Sequence, residues 1–402
     1  MTRALVALVA IVKDEAANIR ATLDSTQGAV DAAVIVDTGS IDNTPAIVRD
    51  WFKETKIPGA LYEEPFIPFE PLLPSRRVID FARTRNRALE LVEATRFEGR
   101  GKCPVFSLFL SGDEVLTNDE KLRSYLEEHR AAEDGAYAIE LRSGNSRWLY
   151  PRILRTDAKW RYHDANQEVP RSPDGSQVTG PLVPEVYITH AVSDPMRRVQ
   201  RMRDVDLPVL DHLANDESTP LDERAQPIWF LAQTHEAIAD EKPRTPGGPW
   251  LSHKMAAMSL YWRRYELGGP DETKTNYALF RFLNVAEQIG LYGDEELLRR
   301  LQPLAQAQPK LPEVWYMIAA HAARLDARRG LVLAEEAAKV ASESKGATLH
   351  VPTDGRVEWY ALRLAAACAK ELKLDRRARE LAERAVAAGG PPDEFRVYLE
   401  AA

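Results

Sequence analysis

The sequence predicts an α/β protein: a Rossmann-like domain on a mostly parallel sheet, followed by an all-α, helical-repeat-like domain. Apolar strand-like runs alternate with amphipathic helical segments in the first third, the pattern of a parallel sheet covered by helices on both faces. From about Pro195 onward only helical periodicity is found. The length of 402 residues suits two or three domains. The expected division is 1–194 and 195–402, and the 45% hydrophobic content supplies a core for each.

Each element has its own justification. Ala4–Val12 is apolar behind Arg3, but no small-residue cleavage site follows and the run continues into Lys13-Asp14-Glu15. It therefore reads as a buried strand, Leu5–Val12, and not as a signal peptide. Asp14–Thr26 has helical spacing through Ala17, Ile19 and Leu23. Ala32–Val36 is a second strand ending at Asp37, and Asn43–Lys53 a second helix that Asp42 or Asn43 can cap. Pro65, Pro68, Pro71 and Pro74 then recur at every third position, the period of polyproline II. The interleaved Phe66, Ile67, Phe69, Leu72 and Leu73 favour a clasp packed on the domain over an acceptor-binding lid. Arg77–Ala94 forms a third helix, and Val105–Leu110 a strand ending at Ser111. Ligands of such sheets bind outside the carboxyl ends of the strands, where the polar residues after Ala32–Val36 and Val105–Leu110 lie.

Helical segments follow at Arg197–Leu213, Arg224–Ala239, Leu251–Leu267, Thr275–Ile289, Glu295–Ala307, Glu313–Leu325, Leu331–Ser342, Val357–Leu372 and Arg376–Ala388. Trp315 and Trp359 lead equivalent-looking segments 44 residues apart, longer than the period of about 34 residues of a tetratricopeptide unit. An irregular stack of helix pairs is expected. The alanine-rich last helices offer a surface for a second copy of the chain. No stretch approaches the roughly 18 apolar residues of a membrane span.

Lys plus Arg is 53 against 61 for Asp plus Glu, a formal charge of -8, which opposes binding of nucleic acid over the whole surface. A local basic face through Arg197, Arg198, Arg201 and Arg203, or through Arg142, Arg147 and Arg152, is the remaining route to such binding. Cys103 and Cys368 follow no metal-ligand spacing and read as reduced, buried thiols of a cytoplasmic protein.

Four segments stand out: Ala10-Ile11-Val12-Lys13-Asp14-Glu15, Val36-Asp37-Thr38-Gly39-Ser40-Ile41-Asp42, Asp80-Phe81-Ala82-Arg83-Thr84-Arg85-Asn86, and Leu108-Phe109-Leu110-Ser111-Gly112-Asp113-Glu114. In this order and spacing they resemble the family 2 glycosyltransferases of GT-A fold, in the branch with a tetratricopeptide-like helical tail. The resemblance covers about the first 170 residues well and the tail more loosely. It implies transfer of a sugar from a nucleotide sugar, with uridine as the base, to an acceptor with inversion. The acceptor class, whether peptide, protein, saccharide or small molecule, stays open.

Such chemistry must hold a nucleoside, neutralise a departing diphosphate and take the acceptor's proton on a carboxylate. Asp37, at a strand's carboxyl end, is placed to accept hydrogen bonds from a base or ribose, and the resemblance assigns it to the nucleoside together with Glu15. The plainer readings are an Asx turn for Asp37 and a first-turn helix charge for Glu15. Arg85 suits a two-pronged grip on phosphate, and the family's Arg-Asn pair implies nucleotide contact for Arg85 and Asn86. Asp80 is a further nucleoside contact or a helix cap. Where the family has two aspartates holding a divalent cation, Mn2+ or Mg2+, this sequence has Ser111 and Asp113. Loss of one carboxylate weakens the ion or makes it dispensable, with Ser111 left beside the donor and Asp113 left as ligand. The closing segment, Tyr150–Arg155 and Trp160–Val169, carries Gln167-Glu168 in place of the family's His-Glu. Glu168 is the expected general base and Asp113 the second catalytic residue. His190 matches a downstream family histidine that reaches metal or diphosphate, its plainer reading being a satisfied structural residue, and His163 reads as a member of an aromatic cluster. The competing function is a degenerate, non-catalytic nucleotide-sugar or peptide-binding scaffold.

Overall fold

A computed structural model describes residues 4–73, 78–95, 103–144, 146–175, 180–190, 195–241, 244, 247–269, 272–344, 353–354 and 356–399. Two compact units divide the chain between Val209 and Leu210.

The first unit is built on β1 (Val6–Val12), every residue of which is buried. β2 (Ala32–Asp37) pairs parallel on one side of it, and β3 (Gly59–Glu63) pairs parallel with β2. Because both faces of β1 are covered, its alternating side chains enter two separate cores. Val6, Leu8, Ala10 and Val12 join Ile19, Leu23 and Trp51 from α1 (Ile19–Asp24) and α2 (Thr44–Thr55). Ala7, Val9 and Ile11 join Ala88, Leu89 and Val92 from α3 (Phe81–Ala94). A strand wet on one face would alternate polar and apolar residues; β1 is apolar throughout for this reason.

β4 (Phe106–Phe109) pairs parallel with β1 on its other side. There the sheet becomes mixed through β5 (Glu114–Thr117), β6 (Ala136–Ser143), β7 (Ser146–Arg155) and β10 (Leu182–His190), with α4 (Asp119–Glu128) after β5. The order along the sheet is β3-β2-β1-β4-β7-β6-β10-β5. A separate hairpin pairs β8 (Arg161–His163) with β9 (Val169–Arg171).

Three sequence expectations need correction. The first helix was expected from Asp14 but begins at Ile19. Asp14 has φ 53°, and the N–H groups of Asp14, Glu15 and Ala16 donate to Ser40 Oγ, Thr44 Oγ1 and Asp42 Oδ2 at 2.9, 2.8 and 3.0 Å. Those donors tie the segment to the loop after β2 in place of a first helical turn, so Glu15 is not a first-turn charge. The third helix begins at Phe81 with Asp80 as its N-cap, accepting from Arg83 N at 2.9 Å; Arg77 and Pro74 lie outside the described residues. The helix expected over Arg197–Leu213 is three pieces: α5 (Pro195–Arg201), a π turn over Met202–Asp206, and α6 (Leu207–Asn215). The proline loop is a clasp. Phe66 packs edge-on against Phe81, Phe69 is buried, and Phe69 N donates to Val78 O at 2.8 Å.

The second unit is helical: α7 (Ala225–Asp240), α8 (Pro249–Leu267), α9 (Glu272–Gln288), α10 (Asp294–Ala307), α11 (Pro312–Leu325), α12 (Ala327–Glu343), α13 (Val357–Glu371) and α14 (Asp375–Ala387). Each packs on the next, and α11 also touches α13 past its neighbour, the contact pattern of a helical-repeat stack. From α11 to α14 the stack is close because its seam is alanine: Ala319, Ala334, Ala337, Ala365, Ala369 and Ala382 are buried in one cluster. At Gly330 even a methyl group would lie 2.5 Å from Ala323. Cys368 is buried here, whereas Cys103, expected to be buried, is only partly so; neither is in a disulfide. Among the described residues no helix is long and apolar enough to cross a membrane.

In this helical unit His235 and His253 face each other with Nδ1 atoms 2.9 Å apart, so one nitrogen donates and the other accepts. Burial, then the neighbouring His253, lowers the His235 pKa from 6.5 to about 4, with Asp211 opposing. The fold therefore prefers neutral His235. Stability from this group is intact above pH 6.5 and is lost as the pH falls towards about 4. Urea unfolding of the wild type should weaken over that window, and His235→Gln should flatten the slope; an unchanged slope would refute the assignment.

Candidate functional site

β1 has β2 on one side and β4 on the other. This reversal opens a crevice at the carboxyl ends of β1 and β4, the position where open α/β sheets take ligands. Asp37 closes β2 there with 3% exposure. Its Oδ1 accepts from Gly39 N at 3.0 Å and Ser40 N at 2.9 Å, forming the Asx turn that Gly39, at φ 101°, completes. Its Oδ2 is buried with no partner among the described residues. Asp37 thus forms the turn and also presents a desolvated oxygen that lacks a donor, a costly arrangement unless a ligand supplies one. Opposite it, Glu15 rests on Gly112, where a Cβ would lie 2.7 Å from Glu15 Cγ. Thr22 Oγ1 donates to Gly112 O at 2.9 Å, and Asn18 Nδ2 donates to Glu15 Oε2 at 3.1 Å.

Beyond β4 the chain turns through Ser111-Gly112-Asp113 into β5. Glu114, its first residue, is fully buried. Ser111 N donates to its Oε2 at 2.7 Å; Arg152 Nη2 and His190 Nε2 reach Oε1 at 2.5 and 2.9 Å. Burial alone would raise the Glu114 pKa, but Arg152 and His190 overcome it and lower it to about 2. Burial likewise lowers His190, and hydrogen bonds to Asp113 and Glu114 prevail and raise it to about 9. His190 Nδ1 lies 3.5 Å from Asp113 Oδ2.

This donor set does not fit a resident cation. Glu114 has donors on both oxygens, and His190 faces a carboxylate from each ring nitrogen, so it offers no lone pair. Asp113 remains as the one carboxylate for an ion, and among the described residues no group of three or more His, Cys, Asp and Glu side chains is arranged to hold one.

Glu168 sits in the β8–β9 loop with Arg85. Their side chains are 12% and 13% exposed, and Arg85 Nε donates to Glu168 Oε1. The Arg85 guanidinium lies 5.5 Å from the ring centroids of both Phe109 and Tyr162. Burial would lower the Arg85 pKa, yet Glu168 keeps it above its ordinary value. Its Nη1 is buried without a partner among the described residues. Arg85 is therefore a holder of Glu168 whose Nη1 stays without a partner among the described residues. Asn86, expected to touch nucleotide, instead clamps the Tyr162 backbone, donating to its O at 2.8 Å and accepting from its N at 2.7 Å. Asp80, buried and desolvated, has its pKa raised and acts as the cap described above. Arg83 and Arg87 pair at the surface with Glu70 and Glu64. His163 is exposed, because β8 alternation turns it away from the buried Tyr162.

The two clusters converge on Tyr162. Its hydroxyl is buried without a partner among the described residues, and its pKa is pushed up to about 12 by burial, with Arg85, Arg152, Glu168 and Glu114 all acting on it. Tyr150 joins them by donating its OH to Glu168 O. Sequence reasoning missed Arg152 and Tyr150 as site residues. The available signal was an arginine inside the apolar run Tyr150-Pro151-Arg152-Ile153-Leu154. Arg152 is buried, Arg142 stacks on Tyr187 at 3.5 Å and pairs with Glu140, and Arg201 lies 5.0 Å from the Phe81 ring. Arg152, Arg142 and Arg201 are thus each engaged with other groups of the protein.

Arg152→Ala should strand the buried Glu114 charge and destabilise the protein by about 3–5 kcal/mol in chemical denaturation. Adding Glu114→Gln should recover much of that loss; a single-variant loss under about 1 kcal/mol would show that the pair is not desolvated.

No protein-family model and no curated protein matches the chain. Among solved structures, S. aureus TarS is 13% identical over 71% of this chain, which spans 53% of the TarS chain, with a TM-score of 0.36. Mannosyltransferase PcManGT from Pyrobaculum calidifontis, in complex with GDP-Man and Mn2+, is 16% identical, covering 81% of this chain and 88% of its own at TM-score 0.36. A Podosopora anserina kinesin light chain with nearly identical TPR-like repeats is 12% identical, covering 48% of this chain and 91% of its own at TM-score 0.33. At TM-scores this low the likenesses decide nothing about chemistry, which rests on the site itself.

Proposed function

We propose that the chain is a glycosyltransferase whose residues 1–194 bind a nucleotide sugar, with uridine diphosphate as the carrier. Residues 195–402 form the helical part that presents or selects the acceptor. The observation that carries the reading is Asp37 Oδ2, a buried, donorless oxygen at the carboxyl end of β2, which calls for an N–H or O–H from a bound nucleoside. In the reaction Glu168 accepts the acceptor's proton on Oε2 while Arg85 holds Oε1. The freed acceptor oxygen attacks the anomeric carbon, and the bond to the diphosphate breaks with inversion. The leaving diphosphate takes the electron pair, and its charge is met by the spare donors of Arg85 and Arg152, whose Nη1 and Nε are buried and unpartnered among the described residues. No step requires a cation.

One observation favours a second reading, a nucleotide-sugar binder without turnover: Glu168 is held in an ion pair with Arg85. A thermal-shift screen of nucleotide sugars separates binding from its absence, and release of free nucleotide separates the two readings. We expect uridine-linked donors to raise the melting temperature of the wild type and Asp37→Ala to abolish the shift. Glu168→Gln should keep the shift and lower turnover by about 10²–10⁴-fold. A shift with no turnover would establish the binder; no shift with any nucleotide would refute both. Turnover should persist in EDTA, and its loss on chelation would overturn the metal-free step.

A further inference from the structure

The loop between β8 and β9, Asp164–Glu168, carries the proposed base and is held in an unfavourable backbone shape. Asp164 has φ 67° and Gln167 φ 56°, both in the left-handed region that non-glycine residues avoid. Such a loop keeps its form only if its surroundings impose it. Phe81 N donates to Ala165 O at 2.8 Å, and Arg171 Nη2 donates to Asp164 Oδ2 at 3.1 Å. The innermost tie is Asn166, 2% exposed, whose Nδ2 donates to Asp206 Oδ1 at 2.7 Å.

Asp206 is itself 5% exposed. It ends the π turn over Met202–Asp206 that interrupts an otherwise continuous helix. A π turn replaces i→i+4 by i→i+5 hydrogen bonds and so re-aims the side chains that follow, and such turns are rare overall yet frequent at functional sites. The re-aimed group here is a carboxylate brought to Asn166. Arg201 Nε lies 3.6 Å from the same oxygen, and its guanidinium covers Phe81, the residue whose N–H holds Ala165. Asp206 thus stands behind two of the ties on the loop.

We propose that Asp206 is a positioning residue for Glu168, acting through Asn166 to hold the strained loop in the shape that presents the carboxylate. The proposal rests on the transferase reading above. Asp206→Ala should lower kcat for nucleotide release by about 10- to 100-fold, the effect of a misplaced catalytic group, with KM for the donor unchanged. Hydrogen–deuterium exchange in the peptide covering 163–169 should quicken in the same variant. Asp206→Asn keeps an acceptor for Asn166 Nδ2 and should restore both readouts. Unchanged kcat and exchange in Asp206→Ala would overturn the proposal. So would a joint change in KM, kcat and melting temperature that Asp206→Asn fails to rescue, because that pattern marks a merely structural residue. Wild type that neither binds nor turns over a nucleotide sugar would sink the transferase reading and this role with it. An active wild type matched by Asp206→Ala sinks this role alone.

Discussion

The first unit depends on one desolvated charge. Glu114 has no exposure and keeps its negative charge, and removing an ion from water is among the most expensive steps in folding. The offset comes from three directions: the Ser111 N–H of its own turn, Arg152 from β7 and His190 from β10. Satisfying that carboxylate therefore pins the β4–β5 turn to two strands distant in sequence. The same bonds define the mouth of the crevice at the carboxyl end of β4.

A second constraint meets the first at Tyr162. The β8–β9 hairpin is not part of the main sheet, so it needs other anchors. Asn86 supplies them by bonding both backbone groups of Tyr162 as a neighbouring strand would. Arg85, lying against both Phe109 and Tyr162, then carries the position of β4 across to Glu168. Side chains that look free in sequence are thus committed to building the site. Asn86 and Arg85, for which the sequence suggested nucleotide contact, carry structural bonds of their own.

The helical unit follows a different rule. From α11 to α14 its seam is made of small residues, so those helices approach closely, whereas Trp229, Tyr261 and Tyr277 fill the seam from α7 to α9. One charged cluster is enclosed: Glu236 accepts from Tyr261 OH at 2.9 Å and meets Lys254 and Arg281. Here a cation on α8 and another on α9 converge on one acid of α7, tying three successive helices.

Local pattern in the sequence sufficed for β1, β2 and β4 with their helices and for the helices from Arg224 onward, because apolar periodicity reports burial directly; the less buried β3 escaped it. It also marked Asp37 at a strand's carboxyl end, while Asp113 and Glu168 were singled out through the resemblance to the family 2 glycosyltransferases. Only the tertiary structure decided the rest. The start of α1, the π turn and the mixed half of the sheet depend on partners many residues away: Ser40 and Asp42 for the first, Asn166 for the second, strand pairing for the third. The placing of Arg152 and the sharing of Glu114 between Arg152 and His190 are likewise long-range. Periodicity within a segment carries no record of which distant donor will meet a buried acceptor.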